Sequence, residues 1–442
     1  MFKRKIYDRL LEWKRDSSGK TAILIEGARR IGKSTVAEEF AKAEYKSYIM
    51  IDFATASQDT IALFNDMSDL NYFFLRLQLQ YGKELHERKS LIIFDEVQLC
   101  PKARQAIKAL VKDGRYDYIE TGSLISIKRN VKDILIPSEE KKLEMYPMDF
   151  EEFLWAYGDN ATVPLLRQCY DTLKPLGSAA AQNMLRKYRL YMLVGGMPQA
   201  VSEYLTSNSF KRIDEVKRDI LTLYENDLMK LDGTGRISLI YSAIPAELAK
   251  NSSRYSVSGV LKNERPDTML EELSELQASK TVLVSYHAND PSAGLANNLD
   301  LRKFKLFMND TGLFVTQMFK DKAFTENVIY EKLLSGKLPA NLGYLYENAV
   351  AQTLAANGHR LYYHTIKNDI SKHSYETDFL LQQKDKISPA EVKSSGIRKH
   401  KSLDVFAEKY SGRIYRKYLI SPKDLQKDKD IICLPVYMTM FL

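Results

Sequence analysis

Residues Gly27 to Thr35 read Gly-Ala-Arg-Arg-Ile-Gly-Lys-Ser-Thr, a complete G-x-x-x-x-G-K-[ST] loop, and no other stretch constrains the fold as tightly. It follows the apolar run Thr21 to Ile25 and opens a segment of helical character, Thr35 to Tyr45. That strand–loop–helix context is what a phosphate-binding loop requires. Gly27 and Gly32 permit backbone torsions that turn the N–H groups of Ala28, Arg29, Arg30 and Ile31 toward a polyphosphate, and the helix N-terminus adds its dipole. Lys33 would reach the β- and γ-phosphates, and the Ser34 hydroxyl would sit on Mg²⁺, with Thr35 beside it. ATP and Mg²⁺ are therefore the expected cofactors.

A partner motif lies at Ser90 to Glu96, an apolar run ending in two acids, as expected of a buried parallel strand whose carboxyl end meets the nucleotide crevice. Asp95 would hold Mg²⁺, directly or through water, and Glu96 would polarise the attacking water. Without the phosphate loop, the same run reads as an ordinary strand ending in solvated acids. A third apolar strand, Tyr116 to Glu120, runs into Thr121-Gly122-Ser123, whose hydroxyls, Ser123 among them, could sense a γ-phosphate.

A chain of 442 residues exceeds one core and predicts two to four domains. Cys100, Cys169 and Cys433 are far apart and offer neither a disulfide framework nor zinc spacing, which fits a reducing cytoplasm. The start, Met1-Phe2-Lys3-Arg4-Lys5, lacks the apolar core of a signal peptide, and no run of about 18 apolar residues predicts a membrane span. His359, His364 and His373 share no helical i, i+4 spacing and read as surface residues rather than a metal site. Net charge is +8, and from Asn341 to Leu442 sixteen Lys and Arg face eleven Asp and Glu, so more than half of the excess sits there. Mild basicity permits a polyanion partner such as DNA without requiring one.

Alternating strand and helix patterns over residues 1–155 predict a parallel α/β sheet, closed by a strand near Leu143 to Tyr146 before Asp149 caps a helix. Residues 156–235 read as helical, interrupted at Gly195-Gly196-Met197-Pro198 by a flat turn able to pack closely on a neighbour. Residues 236–335 suggest a winged-helix-like region and connector: helices at Ile244–Lys250, from Ser256 and over Pro266–Ser279, then a wing strand Val282–Tyr286. Its recognition region carries Lys262 and Arg265 among several acids, so DNA contact and protein packing stay equally open. A strand Lys303–Met308 and the turn or cap Asn309-Asp310-Thr311-Gly312 follow.

Residues 336–442 carry a second constellation. A helix from Leu345 to the stop at Asn357-Gly358 precedes strands at His359–Thr365, Glu376–Leu381 and Ser388–Lys393, then a helix Lys399–Tyr410. Residues two apart on a strand share a face, so Glu391 and Lys393 would project together, within reach of Asp378 on a neighbouring strand. Paired carboxylates bind a hard divalent cation, and an adjacent lysine can orient or deprotonate water, the parts that metal-assisted phosphodiester hydrolysis needs. The pattern resembles the restriction-endonuclease-like, or PD-(D/E)xK, superfamily. The resemblance implies Glu347 as the helical first acid, Asp378 as the second and Glu391-Val392-Lys393 as the E-x-K, with Glu347, Asp378 and Glu391 as metal ligands and Asp378, Glu391 and Lys393 as catalytic residues.

Nearly the whole chain resembles prokaryotic ATPases of the AAA+ class that join a P-loop domain to a C-terminal module of unknown function, similar to archaeal-type ATPases. The stretches that carry the resemblance are the loop at 27–34, Phe94-Asp95-Glu96-Val97-Gln98, Thr121-Gly122-Ser123, Tyr146 to Leu154, Gly195 to Pro198, Asn309 to Leu313 and Glu391 to Lys393. It implies a P-loop NTPase sheet, a helical and winged-helix middle and a restriction-endonuclease-like α/β end. Many relatives place Gly-Arg shortly before the Tyr-Pro pair, where this chain reads Ile136 to Lys141, so no arginine finger is assigned, and Arg115 and Arg129 are unsupported candidates. Two functions stay open: an ATPase whose nucleotide state gates a DNA-acting nuclease, or a nucleotide-operated switch whose nuclease-like end only binds a protein or nucleic acid. Lys393 ion-paired to an acid would favour the second, and a homo-oligomer is compatible with either.

Overall fold

A computed structural model describes residues 1–123, 137–250, 252–261, 264, 269–322, 324–325, 327–337, 343–368, 374–394 and 400–442. Arg129, Ile136, Lys262, Arg265, His373, Lys399 and the start of the expected 266–279 helix lie outside the described residues. The chain splits into two compact units, Met1–Tyr146 with Ala278–Lys280, and Pro147–Gln277 with Thr281–Leu442.

The first unit is built on five parallel strands among its described residues: β1 (Ala22–Glu26), β2 (Ser47–Asp52), β3 (Ser90–Asp95), β4 (Asp117–Gly122) and β5 (Glu140–Glu144), in the order β2-β3-β4-β1-β5. Every residue of β1, β3 and β4 is buried, the condition that turns a continuous apolar run into a strand covered on both faces. Below the sheet, Leu24, Ile51, Phe94 and Tyr118 pack on Phe74 and Leu77 of one helix and Ile107 and Leu110 of another. The chain leaves β1 for the far edge, returns through β3 and β4, then passes β1 to form β5, so β1 is where the winding reverses. Ligands of such sheets bind outside the carboxyl ends of the strands at that reversal. The closing strand, β5, begins three residues before the apolar signal at Leu143 suggests. It is an edge strand, Glu-Lys-Lys-Leu-Glu, held to β1 on one side, and Arg104 grips the Glu140 carboxylate through two bonds of 2.8 and 2.9 Å, with that side chain covered from solvent.

In the second unit, Asp149 accepts from Glu152 N (2.9 Å) while the Glu152 carboxylate accepts from Asp149 N (3.2 Å), a complete capping box on the helix Phe150–Ala156. Asp149→Ala is expected to cost about 1 kcal/mol, measured as a lowered urea midpoint of this unit. The helices Ser178–Val194 and Pro198–Ser207 meet at Gly195-Gly196, as the glycine pair indicates.

Two further sheets follow. Strands β6 (Val282–Ala288), β7 (Leu299–Met308), β8 (Leu361–Lys367) and β9 (Ser374–Thr377) run in the order β7-β6-β8-β9, and β10 (Phe379–Gln383), β11 (Lys386–Val392), β12 (Lys417–Ser421), β13 (Gln426–Asp428) and β14 (Ile431–Pro435) in the order β10-β11-β12-β14-β13. The expected wing strand, β6, is therefore not the edge of a separate module. It pairs antiparallel with β7 and parallel with β8, so one sheet bridges the expected boundary at residue 336. The helix Gly343–Ala356 ends at Gly358 (φ +89°), with Gly358 N on Ala355 O and His359 N on Leu354 O, the double closure of a Schellman motif. Asp378 is the single residue between β9 and β10, where the chain passes from one sheet to the other. Among the described residues no helix is long and apolar enough to cross a membrane.

Candidate functional site

The loop at 27–32 stands at the carboxyl end of β1, and the helix Lys33–Glu44 begins directly after it. A Cβ on Gly27 would lie 2.3 Å from the Met145 carbonyl oxygen, so only glycine fits there. Arg30 (φ +66°) and Gly32 (φ +93°) adopt left-handed torsions that fold the loop back over the helix start. Ala28 and Ile31 are buried, Arg29 is half-buried, and Arg30 and Thr35 are exposed. Arg4, which sequence reasoning missed, braces the loop by donating to Ile31 O (2.8 Å) and Tyr146 O (2.6 Å). It lies more than twenty residues upstream, and nothing local marks it.

Lys33 is buried and donates to Gly27 O (3.1 Å) and Ala28 O (2.8 Å). Burial lowers its pKa to about 8, against the opposing pull of Glu96 and Asp95. Ile93 is level with Ile119 and Ile119 with Ile23, which brings Asp95 and Thr121 to one height on the sheet. Asp95 Oδ1 accepts from Ser34 Oγ (2.6 Å) and from Thr121 Oγ1. The structure thus unites Lys33, Ser34 and Asp95 and adds Thr121, while Ser123 is buried just after β4. Glu96 follows β3 in a left-handed torsion (φ +52°), and its carboxylate accepts from Gln98 Nε2. Ser34 and Asp95 offer hard oxygen donors of the kind Mg²⁺ takes. Arg115 is engaged elsewhere, on Asp113 (2.8 Å) and Asn71 (2.9 Å).

In the second unit, the carboxylate oxygens of Glu347, Glu376 and Asp378 lie within 4.8 Å of one another. The expected set was Glu347, Asp378 and Glu391. Glu376 joins the first two because it and Asp378 are two residues apart and face one side, a spacing visible in the sequence. Glu391 instead pairs with Lys393 as an ion pair, and its Oε2 is buried with no hydrogen-bond partner among the described residues. Asp378 Oδ2 accepts from Val392 N (2.7 Å), which ties it to the E-x-K strand β11. Lys305 of β7 enters the cluster from outside any motif, with its ammonium 2.9 Å from Glu347 Oε1 and in contact with Glu376. Burial and the charge of Glu347 push the Asp378 carboxyl well above the usual range, and burial raises Glu376 and Glu391. Burial opposes the charge on Lys305, but Glu347 and Glu376 prevail and hold it well above the usual lysine range. His364, expected at the surface, is buried: Nδ1 meets Ala288 O (2.7 Å), Nε2 meets Tyr410, and burial lowers its pKa to about 4.

Residues 19–154 match the family model described as AAA domain. They contain the parallel five-stranded sheet, which has a P-loop NTPase fold. Residues 185–323 and 342–438 match two models each described as a domain of unknown function (DUF8612 and DUF4143). The chain is 22% identical over 383 residues to an uncharacterized protein of Haemophilus influenzae, covering 82% of this chain and 86% of that one. Similar solved structures include the Walker-type ATPase PABY2304 of Pyrococcus abyssi (17% identity, 72% of this chain and 96% of that one, TM-score 0.41) and the RuvB Holliday junction branch migration motor of Thermotoga maritima (13%, 64% and 89%, TM-score 0.28).

Proposed function

We propose that the protein binds and hydrolyses ATP, and that its nucleotide state gates a metal-dependent action of the C-terminal domain on DNA. The observation that carries the first half is the meeting of Ser34, Thr121 and Asp95 beside a lysine held on its own loop carbonyls. Backbone N–H groups of 28–35 and the Lys33 ammonium take the phosphates, Ser34 and Asp95 are the residues that would hold Mg²⁺, and Glu96, oriented by Gln98, positions and deprotonates water. Mg²⁺ bound with the nucleotide would supply neutralisation of developing phosphate charge. Glu96→Gln keeps the hydrogen bonds but removes the base, so ATP should still bind while turnover falls by about 10²–10⁴-fold. Turnover at the parent rate would exclude Glu96 from that role.

The C-terminal half of the proposal rests on the resemblance of Glu347, Asp378, Glu391 and Lys393 to the nuclease pattern. Three clustered carboxylates are a donor set that fits a hard divalent cation. One observation favours the rival reading, a switch whose nuclease-like end only binds: Lys393 is ion-paired to Glu391. A paired assay separates the two. ATP hydrolysis is followed with and without DNA, and cleavage scored in Mg²⁺ and Mn²⁺ beside Asp378→Ala. DNA-stimulated turnover with cutting lost in the variant supports the gated nuclease. Turnover indifferent to DNA, with no cutting in either metal, supports the switch and directs the search to a protein partner or a second copy.

A further inference from the structure

We infer that Lys305 is the resident counter-ion of the C-terminal carboxylate cluster, and that a divalent cation and the Lys305 ammonium contend for the same oxygens, so that this residue sets how tightly the site takes metal. The inference rests on the reading of that cluster as a metal site. Three facts carry it. Lys305 projects from β7, the edge of the four-stranded sheet opposite β9, which carries Glu376, and its side chain is only 6% exposed, so it is built into the site rather than resting on its rim. Its ammonium touches Glu347 and Glu376, two of the three acids whose oxygens lie within 4.8 Å of one another. Its ammonium also stands 5.6 Å from the centre of the Tyr363 ring, which limits the directions in which it can withdraw.

The charge balance makes the competition specific. Burial disfavours the charged form of Asp378, Glu376 and Glu391, so a cation would bind as these acids give up their protons. With all four of Glu347, Glu376, Asp378 and Glu391 ionised against the two ammonium groups of Lys305 and Lys393, the surplus is what one divalent cation would neutralise. Lys393 occupies Glu391 at one end, while Lys305 occupies the Glu347–Glu376 end where oxygens converge. A metal that draws on Glu347 and Glu376 must therefore displace the Lys305 ammonium, whereas removing that ammonium leaves two acids without a counter-charge. The C-terminal cluster is therefore expected to take metal only weakly while the Lys305 ammonium holds these oxygens.

The test is Mn²⁺ binding by calorimetry on the full chain without nucleotide, in an Asp95→Asn background that removes the acid of the other site. Lys305→Met, which keeps the stem and loses the charge, should bind at least tenfold more tightly than its parent, and adding Asp378→Asn should abolish the gain. Lys305→Arg should keep the parent's weak affinity. Equal, tight binding by parent and Lys305→Met overturns the inference and leaves the metal-site reading standing. No binding by either overturns both. If Lys305→Met does not fold, amine labelling of the parent decides: Lys305 should react with an N-hydroxysuccinimide ester faster in saturating Mn²⁺ than in its absence. Unchanged labelling with Mn²⁺ bound overturns the inference.

Discussion

Lys33→Ala is expected to reduce ATP turnover by about 10²–10³-fold, the usual loss when one preorganised donor to a developing phosphate or oxyanion charge is removed. ATP affinity should fall with it, because the same ammonium meets the ground-state phosphates. Without nucleotide, that ammonium is buried and donates to the carbonyls of Gly27 and Ala28, and its pKa is lowered to about 8. Two pH effects follow. ATP affinity should weaken as pH rises through about 8, since a neutral Lys33 no longer attracts phosphate. Stability of the ligand-free protein should run the other way. An unfolded lysine keeps its proton to about 10.4, so between about 8 and that value the unfolded state binds more protons and stability rises with pH. Below 8 the full cost of burying the charge is present, on the order of 3 kcal/mol. Lys33→Met should therefore melt at or above the parent temperature at pH 7 while losing stabilisation by ATP. A variant that melts lower and still gains stability from ATP would mean the lysine is not the phosphate contact.

What the sequence reveals of this site follows from how local its parts are. The loop, its helix and the Asp95–Glu96 strand end are contiguous words, and each lies within a residue or two of its expected place because burial on both faces demands an unbroken apolar run. Thr121 could be read as a nearby hydroxyl, but its contact with Asp95 is a matter of register between β3 and β4, which no single strand encodes. β5 was half-visible, since an edge strand of alternating charge gives little apolar signal, and the Glu140 side chain is covered where Arg104 grips it. The C-terminal site divides the same way. Glu347, Asp378 and the Glu391–Lys393 pair are legible as motif residues, and Glu376 could have been found from its spacing to Asp378. Lys305 could not, because the antiparallel β6–β7 pair and the parallel β6–β8 pair that carry it to the acids span tens of residues and leave no periodic trace.

Gly196→Ala is expected to be the most destabilising single methyl added to the second unit. A Cβ there would stand 2.0 Å from Met148 O, 2.7 Å from Met148 N and 2.9 Å from Met148 C, all backbone atoms with no rotamer by which to yield. The approach is fixed from both sides. Met148 N donates to Gly196 O (2.7 Å), Tyr191 donates to Met148 O (2.9 Å), and Gly196 N donates to Asp310 Oδ2 (2.6 Å). Asp310 is buried and also caps the helix Thr311–Met318 through Leu313 N (2.8 Å), so pushing Gly196 away strains a helix start as well as a turn. Gly312 closes the other wall: a Cβ on it would lie 2.5 Å from Gly195 Cα. Overpacking costs about 1–3 kcal/mol, and each buried hydrogen bond lost adds about 1 kcal/mol, which together give about 3–5 kcal/mol. Gly343→Ala is the control, since nothing among the described residues lies within 4 Å of its added methyl, and it should stay within about 0.5 kcal/mol of the parent. Urea unfolding followed by tyrosine fluorescence measures both. Should Gly196→Ala unfold within 1 kcal/mol of the parent, the turn can open without cost and the close packing of 195–198 on Met148 is not what holds these helices together. Failure of both variants would instead indicate general intolerance of the unit to added volume. Only a large loss at 196 beside none at 343 ties the glycine pair to the contact that the chain's flat Gly-Gly-Met-Pro turn makes possible.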